Sequence, residues 1–285
     1  MILITGANGR TGRAVLEMLH RRGIPVRAMV RDAAKAIRLP GTEIVVADFS
    51  KPHTLPSVLD GIDSVYLTSA PNPEQVTMHR NFIRAAAQAG VRYIVRHSVR
   101  GADDNSPIKI ARWHAASQRE LATSGVAWTH LQPVFNMQNF LRFASSIRSQ
   151  DTFFAPMRDA AISMVDARDV ASVAVEVLTS AGHEEQTYLV TGPEALTFAD
   201  AAQELSNVLG RPIRYLAVSP EQARTGMLAA GMPEWYVQDM LGFYAFYATG
   251  AGAYVSDAVP RIVGRPGRRF RQFVEDHRVA FDASA

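Results

Sequence analysis

The chain opens with a short apolar run, Met1-Ile2-Leu3-Ile4-Thr5, that leads at once into Gly6-Ala7-Asn8-Gly9-Arg10-Thr11-Gly12. No other stretch restricts the possible folds so strongly. A brief, continuous apolar run bounded by turn residues reads as a buried strand. Glycines at GxxGxxG spacing then allow a sharp turn and a close approach of the backbone to a neighbour. Residues 14–22 follow, with Val15, Leu16, Met18 and Leu19 on one face, and Gly23 behind them. That pattern predicts a helix with a glycine stop. Strand, glycine turn and helix in this order form the start of a βαβ unit.

The alternation continues. Further strands are expected at 25–30, 43–47, 63–67, 91–95 and 127–131, with helices at 57–59, 75–89 and 111–123. Runs such as Ile2-Leu3-Ile4 and Ile44-Val45-Val46 are apolar on both faces, as strands covered by helices on either side must be. The fold class is therefore α/β, a doubly wound parallel sheet of Rossmann type. After about residue 135 the rhythm changes. Strands are expected at 162–165, 187–190 and 213–217, a helix at 167–178 led by Asp166, and a helix at 198–209 capped by Thr197 with Asp200 three residues on. Residues 1–150 thus read as the sheet domain. Residues 151–285 read mainly as a smaller C-terminal α/β lobe, interleaved with the last sheet strands.

Composition narrows the function classes. Among 285 residues, 30 basic side chains are nearly balanced by 27 acidic ones, so nucleic acid is not an expected partner. The most basic run, Arg265-Pro266-Gly267-Arg268-Arg269-Phe270-Arg271, reads as a solvated C-terminal segment. The absence of cysteine excludes disulfides, thiol catalysis and Cys-ligated zinc. The eight histidines show no HExxH or close paired spacing, so no metal site is expected. No apolar run approaches the roughly 20 residues that span a bilayer, and no signal-peptide pattern is seen. The expectation is a soluble cytoplasmic protein, a monomer or homodimer, with no membrane partner.

Each glycine of the turn has a chemical use. Gly6 permits the turn, Gly9 lets the backbone approach a pyrophosphate, and Gly12 lets helix and strand pack closely. The helix start then offers free N–H groups and partial positive charge to phosphates. Selectivity between dinucleotides is read at the end of the second strand, where an acidic residue would bind the ribose 2′-OH. Here stands Arg31, followed by Asp32, with Arg10 and Arg13 near the turn. An arginine fork suits a 2′-phosphate. NADP(H) is therefore expected ahead of NAD(H), with Asp32 either paired to Arg31 or facing solvent.

These residues carry a resemblance. The segment from Leu3 to Gly12, then Val30-Arg31-Asp32 and Ala47-Asp48-Phe49, look like the atypical short-chain dehydrogenases, and above all their NmrA-like group. The likeness runs on through 123–133, Phe135-Asn136-Met137-Gln138-Asn139-Phe140, Val165-Asp166-Ala167-Arg168-Asp169-Val170-Ala171 and Tyr188-Leu189-Val190-Thr191-Gly192-Pro193. The group includes NADPH-dependent quinone, azo-dye and triarylmethane-dye reductases and non-catalytic redox-sensing regulators. The resemblance implies that Gly6, Ala7, Asn8, Gly9, Arg10, Thr11 and Gly12 hold the pyrophosphate and Arg31 the 2′-phosphate. It implies Asp48 and Phe49 beside the adenine, and Thr68, Ser69 and Ala70 along the ribose. Pro133, Val134, Phe135 and Asn136 would face the nicotinamide.

Typical members of the wider superfamily use a Tyr-x-x-x-Lys pair, in which the phenol relays a proton to the substrate oxygen. The only lysines are Lys35, Lys51 and Lys109, preceded at four residues by Arg31, Ala47 and Asn105, so the pair is absent. His114 and Gln118 share the face of the helix that would carry it. Ser98, at the end of the fifth strand, occupies the place of the superfamily's catalytic hydroxyl; it either polarises an acceptor or caps the backbone. His114 either orients substrate and shuttles a proton or is structural. Lys109 either reaches the ribose or a substrate anion or is a solvated loop residue, the second being favoured. Quinones, azo bonds and cationic dyes accept hydride without a placed proton donor, so a reductase of conjugated acceptors is expected, the alternative being a nucleotide-binding sensor. Trp235, Tyr236, Phe243, Tyr244, Phe246, Tyr247 and Tyr254 cluster late. With Trp113 and Phe135, the residues Trp235 and Phe243 are candidates for walls against a small planar or aromatic substrate.

Overall fold

The computed structural model describes residues 1–282. Among them, nine strands form two sheets: β1 (Ile2–Ile4), β2 (Val26–Val30), β3 (Glu43–Val46), β4 (Ser64–Leu67), β5 (Tyr93–His97), β6 (Ala127–Pro133), β7 (Thr152–Ala155), β8 (Gln186–Val190) and β9 (Arg214–Ala217). Seven pair in parallel in the order β3-β2-β1-β4-β5-β6-β8, while β7 and β9 pair apart from them. Twelve α-helices accompany the strands, the last five following β9: α1 (Arg10–Arg21), α2 (Leu55–Leu59), α3 (Gln75–Gln88), α4 (Lys109–Ala122), α5 (Ala144–Gln150), α6 (Ala167–Thr179), α7 (Phe198–Leu209), α8 (Pro220–Ala229), α9 (Glu234–Phe246), α10 (Ala258–Val263), α11 (Phe270–Asp276) and α12 (Arg278–Phe281). No helix among the described residues is long and apolar enough to cross a membrane.

The two faces of the large sheet are built by side-chain alternation. Ile2 and Ile4 enter one core with Val15, Leu16 and Leu19 of α1 and Val170, Val173 and Val177 of α6. Leu3 between them enters the other, with Leu55 and Leu59 of α2, Phe82 and Ile83 of α3 and Leu121 of α4. Strand order reverses between β1 and β4, so a crevice opens at their carboxyl ends, where open α/β sheets bind ligands.

A third core belongs to the lobe. Phe140 packs on Phe270 at 4.7 Å and on Phe198 at 5.2 Å between ring centroids, with Phe153, Phe273 and Phe281 around them. The lobe draws on α5, whereas α6 and β8 return to the large sheet. Thr197 and Asp200 form the expected reciprocal cap of α7.

Three expectations are corrected. Residues 162–165 form no strand: Ile162 bridges Leu196, Ser163 donates to Gly252 and Val165 bridges Asn136, so neighbouring residues find partners in different segments and no ladder develops. β7 was not expected, because four residues with Phe154 turned outward give little pattern. The basic C-terminal run is not simply solvated. Asp169 of α6 is 0% exposed and accepts from Arg265 Nη2 at 2.9 Å, from the Arg268 guanidinium and from the Arg268 backbone. Its neighbour Asp166, also buried, caps α6 and grips Arg168 and Gln138.

Losing one partner of a buried ion pair strands the others. Asp169→Ala should therefore lower the unfolding free energy by about 3 kcal/mol in urea titrations. Arg271→Ala, which removes an exposed pair with Glu275, should cost under about 0.5 kcal/mol.

Candidate active site

The glycine turn is built for close approach. Gly6 has φ +57°, and a Cβ there would lie 2.8 Å from the Thr68 methyl. A Cβ on Gly12 would overlap the Gly6 carbonyl, so only glycine lets α1 start where it does. Thr5 Oγ1 accepts from the Thr68 backbone at 2.8 Å and ties the turn to the end of β4. α1 has no side-chain cap and no acid in its first turn, which leaves its first N–H groups open to an anion. A dinucleotide pyrophosphate fits such a cradle. Arg10 reaches from the turn to Asn139 at 3.5 Å and lies near Arg142, whose guanidinium stacks 5.7 Å from the Tyr236 ring centroid. Burial and Arg142 both lower the pKa of Arg10.

At the end of β2, Arg31 is exposed and forms no ion pair with a described residue, while Asp32 is occupied in capping a turn at 33–35. Asp32 therefore pairs with the Ala34 N–H and, at 3.9 Å, with Lys35, rather than with Arg31. Asp48 accepts from the Ser50 backbone, which together with Ser50 Oγ and nearby Arg31 holds its carboxyl below the usual range. The ring of Phe49 is committed to the core, 4.8 Å from Phe82, so a ligand would meet its backbone. Asn8 and Gly9 are exposed, Ala7 and Thr11 buried. Ala70 is exposed beyond β4.

A cavity of about 250 Å³ lies at the carboxyl ends of β4, β5 and β6. Thr68, Ser69, Pro133, Val134, Phe135 and Asn136 line it from the sheet; Tyr236, Met240, Phe243, Tyr244 and Tyr247 line it from the lobe. Asp239 joins the two sides: from α9 it accepts from the backbone N–H groups of Lys109 at 2.8 Å and Ile110 at 3.1 Å, capping α4. The Lys109 side chain is exposed at that helix start and is not a lining residue. His114 of α4 lines the cavity.

Other candidates lie elsewhere. Ser98 is fully buried, accepts from Gln118 Nε2 at 2.7 Å and is not part of the lining. Trp113 and Trp235 also fall outside it, packed 5.8 Å apart where α4 meets α9. Sequence reasoning missed His79, His97, Met240 and Arg142, and Arg96 behind the wall. They come from separate elements with no spacing to connect them. Among the described residues, no acidic and histidine cluster is placed to hold a metal.

Burial is the leading cause of low histidine basicity here, with Arg96 second. It holds His79 and His114 well below the ordinary 6.5, His97 at about 4 and His130 at about 3. These imidazoles stay neutral in the fold and protonate in the unfolded chain. Their contribution is complete above pH 6.5 and is lost as pH falls, until the folded group protonates too. Stability should drop by about 1.4 kcal/mol per pH unit for each such group. Chemical denaturation of His97→Asn should show a slope between about pH 6.5 and about 4 that is shallower by one proton, and parallel slopes would refute the assignment.

Known proteins resemble this chain in sequence and in fold. The NAD(P)H azoreductase of Xenophilus azovorans is 43% identical over 286 residues, covering 100% of both chains. The NADPH-dependent quinone oxidoreductase of Escherichia coli, solved with NADPH, aligns with a TM-score of 0.88 at 30% identity, covering 97% of this chain and 99% of that one. The triphenylmethane reductase of a Citrobacter species aligns with a TM-score of 0.87 at 26% identity, covering 98% and 99%. The model of the NmrA-like family matches residues 1–261, from β1 into α10, and the chain therefore belongs to that family.

Proposed function

We propose that this chain is a reductase that uses NADPH, ahead of NADH, to deliver hydride to a conjugated acceptor of the quinone, azo or triarylmethane type. The observation that carries the reading is the cavity, which joins the crevice beside the glycine turn to aromatic walls and has no Asp or Glu in its lining. The names of the relatives point the same way, to an azoreductase, a quinone oxidoreductase and a triphenylmethane reductase.

When bound, the reduced cofactor supplies the hydride. The chain's residues do the rest. The open N–H groups of α1 hold the pyrophosphate, and Arg31, exposed and in no ion pair with a described residue, holds the 2′-phosphate. Asn136 has a buried side-chain oxygen without a partner, and the N–H of a carboxamide would satisfy it. Phe135, Phe243, Tyr244 and Tyr247 give flat faces for a planar acceptor and keep water from the transfer. No Tyr-x-x-x-Lys pair is present, so acceptors that need a strong placed acid are poor substrates.

Two measurements test this. NADPH oxidation should accelerate with at least one of a quinone, an azo dye and a triarylmethane dye; background rates with all three would sink the reading. Tight binding of NADP(H) in isothermal titration without turnover would instead indicate a sensor. Arg31→Ala should raise KM for NADPH by about tenfold or more, the worth of one charge-assisted contact, and leave KM for NADH nearly unchanged.

A further inference from the structure

Behind the cavity wall lies a guanidinium with no acid to balance it. Arg96 of β5 is 0% exposed and forms no ion pair with a described residue. Its Nη2 donates to Nδ1 of His114 at 3.1 Å and to Nδ1 of His79 at 3.5 Å, while Nε and Nη1 have no partner. Burying a cation this way is costly, so the arrangement needs a use.

The hydrogen bonds fix three tautomers. Arginine has only donors, so His79 and His114 receive at Nδ1 and carry their proton on Nε2. His79 Nε2 then donates to Ser69 Oγ at 2.9 Å, which leaves the Ser69 hydroxyl proton free. His114 Nε2–H has no protein partner, and His114 lines the cavity. His97 Nδ1 lies 2.8 Å from the hydroxyl of fully buried Tyr66, which has no other partner. A buried O–H that donates to nothing is expensive, so Tyr66 donates and His97 also carries its proton on Nε2. Ser69, His97 and His114 therefore present hydrogen-bond donors to one cavity whose lining holds no carboxylate.

We propose that Ser69 and His114, set by Arg96, and His97, set by Tyr66, form a subsite for the electron-rich oxygen or nitrogen of the acceptor and for the anion that hydride addition leaves on it. This rests on the reductase reading and names the substrate class within it. When a quinone or azo compound takes a hydride, the C–H bond of the dihydronicotinamide breaks and an O–H or N–H bond forms. The displaced π pair ends on the other heteroatom as an anion, the acceptor gains two electrons, and the nicotinamide loses two. Water later supplies the one proton that neutralises this anion. Donors already aimed at that heteroatom stabilise the charge as it develops. A triarylmethane cation differs, because hydride makes a C–H bond and quenches a positive charge, so no anion arises. His114 is the group that touches the acceptor, and Arg96 is a positioning residue. Burial brings the Arg96 pKa down to about 9, which still leaves it cationic at neutral pH.

The test compares the two acceptor classes in His114→Phe. Its kcat/KM with a quinone or azo dye should fall by about tenfold or more, while that with a triarylmethane dye stays within about twofold. A readout without turnover accompanies it: 4-nitrophenolate should bind the NADP⁺ complex, and bind about tenfold more weakly in His114→Phe. Nitrogen NMR should find His79, His97 and His114 as Nε2–H tautomers, with the His114 tautomer kept in Arg96→Lys and lost in Arg96→Met. Equal losses with both acceptor classes, unchanged phenolate affinity, or an Nδ1–H tautomer at His114 would overturn the subsite. If no acceptor is turned over, the reductase reading fails, and phenolate binding with the tautomers still decides the subsite.

Discussion

Helix α1 can begin over the end of β1 only because position 12 has no side chain. That contact sets the rest of the binding face. It aims the open N–H groups of the helix into the crevice where strand order reverses, and it places Arg10 across the opening from Arg142. A single methyl group at Gly12 would move the helix off the Gly6 carbonyl and misalign every donor that follows.

Around this contact the charges are sorted by task. The buried acids Asp166, Asp169 and Asp239 each hold the frame: one caps α6, one fastens the C-terminal segment, one caps α4 from α9. None is left facing the cavity. Arg10, Arg31, Arg96 and Arg142, none of which forms an ion pair with a described residue, lie at the crevice, along its rim or behind the cavity wall. Such a division favours ligands rich in negative charge or lone pairs, as a phosphorylated dinucleotide and a carbonyl or azo acceptor are.

How much of this was legible in the sequence depended on distance along the chain. The glycine turn is local, and its spacing alone prescribes strand, turn and helix. Most of the first six sheet strands are buried between helices and therefore read as apolar runs, while the edge strand β3 is apolar although Val46 is exposed. The lobe strand β7 is short and turns Phe154 outward, so the pattern that marks a strand is nearly missing, whereas β9 falls within the strand expected at 213–217. The basic C-terminal run looked solvated because its partner, Asp169, lies 99 residues before Arg268. The cluster of His79, Arg96, His97 and His114 is likewise assembled from α3, β5 and α4, and no motif announces it. Ser98 and Trp235 were sensible candidates by position, but one is held by Gln118 and the other by Trp113.

The pairing of Trp113 with Trp235 has an optical meaning. The chain has three tryptophans, and these two face each other across the joint between sheet domain and lobe. The third, Trp128, stacks on His130 within β6, 4.3 Å away, and belongs to the rigid sheet. Any swing of α9 away from α4 separates the first two indoles and leaves the third in place. The molecule thus carries a built-in gauge of its own aperture, with an internal reference, readable in its native fluorescence.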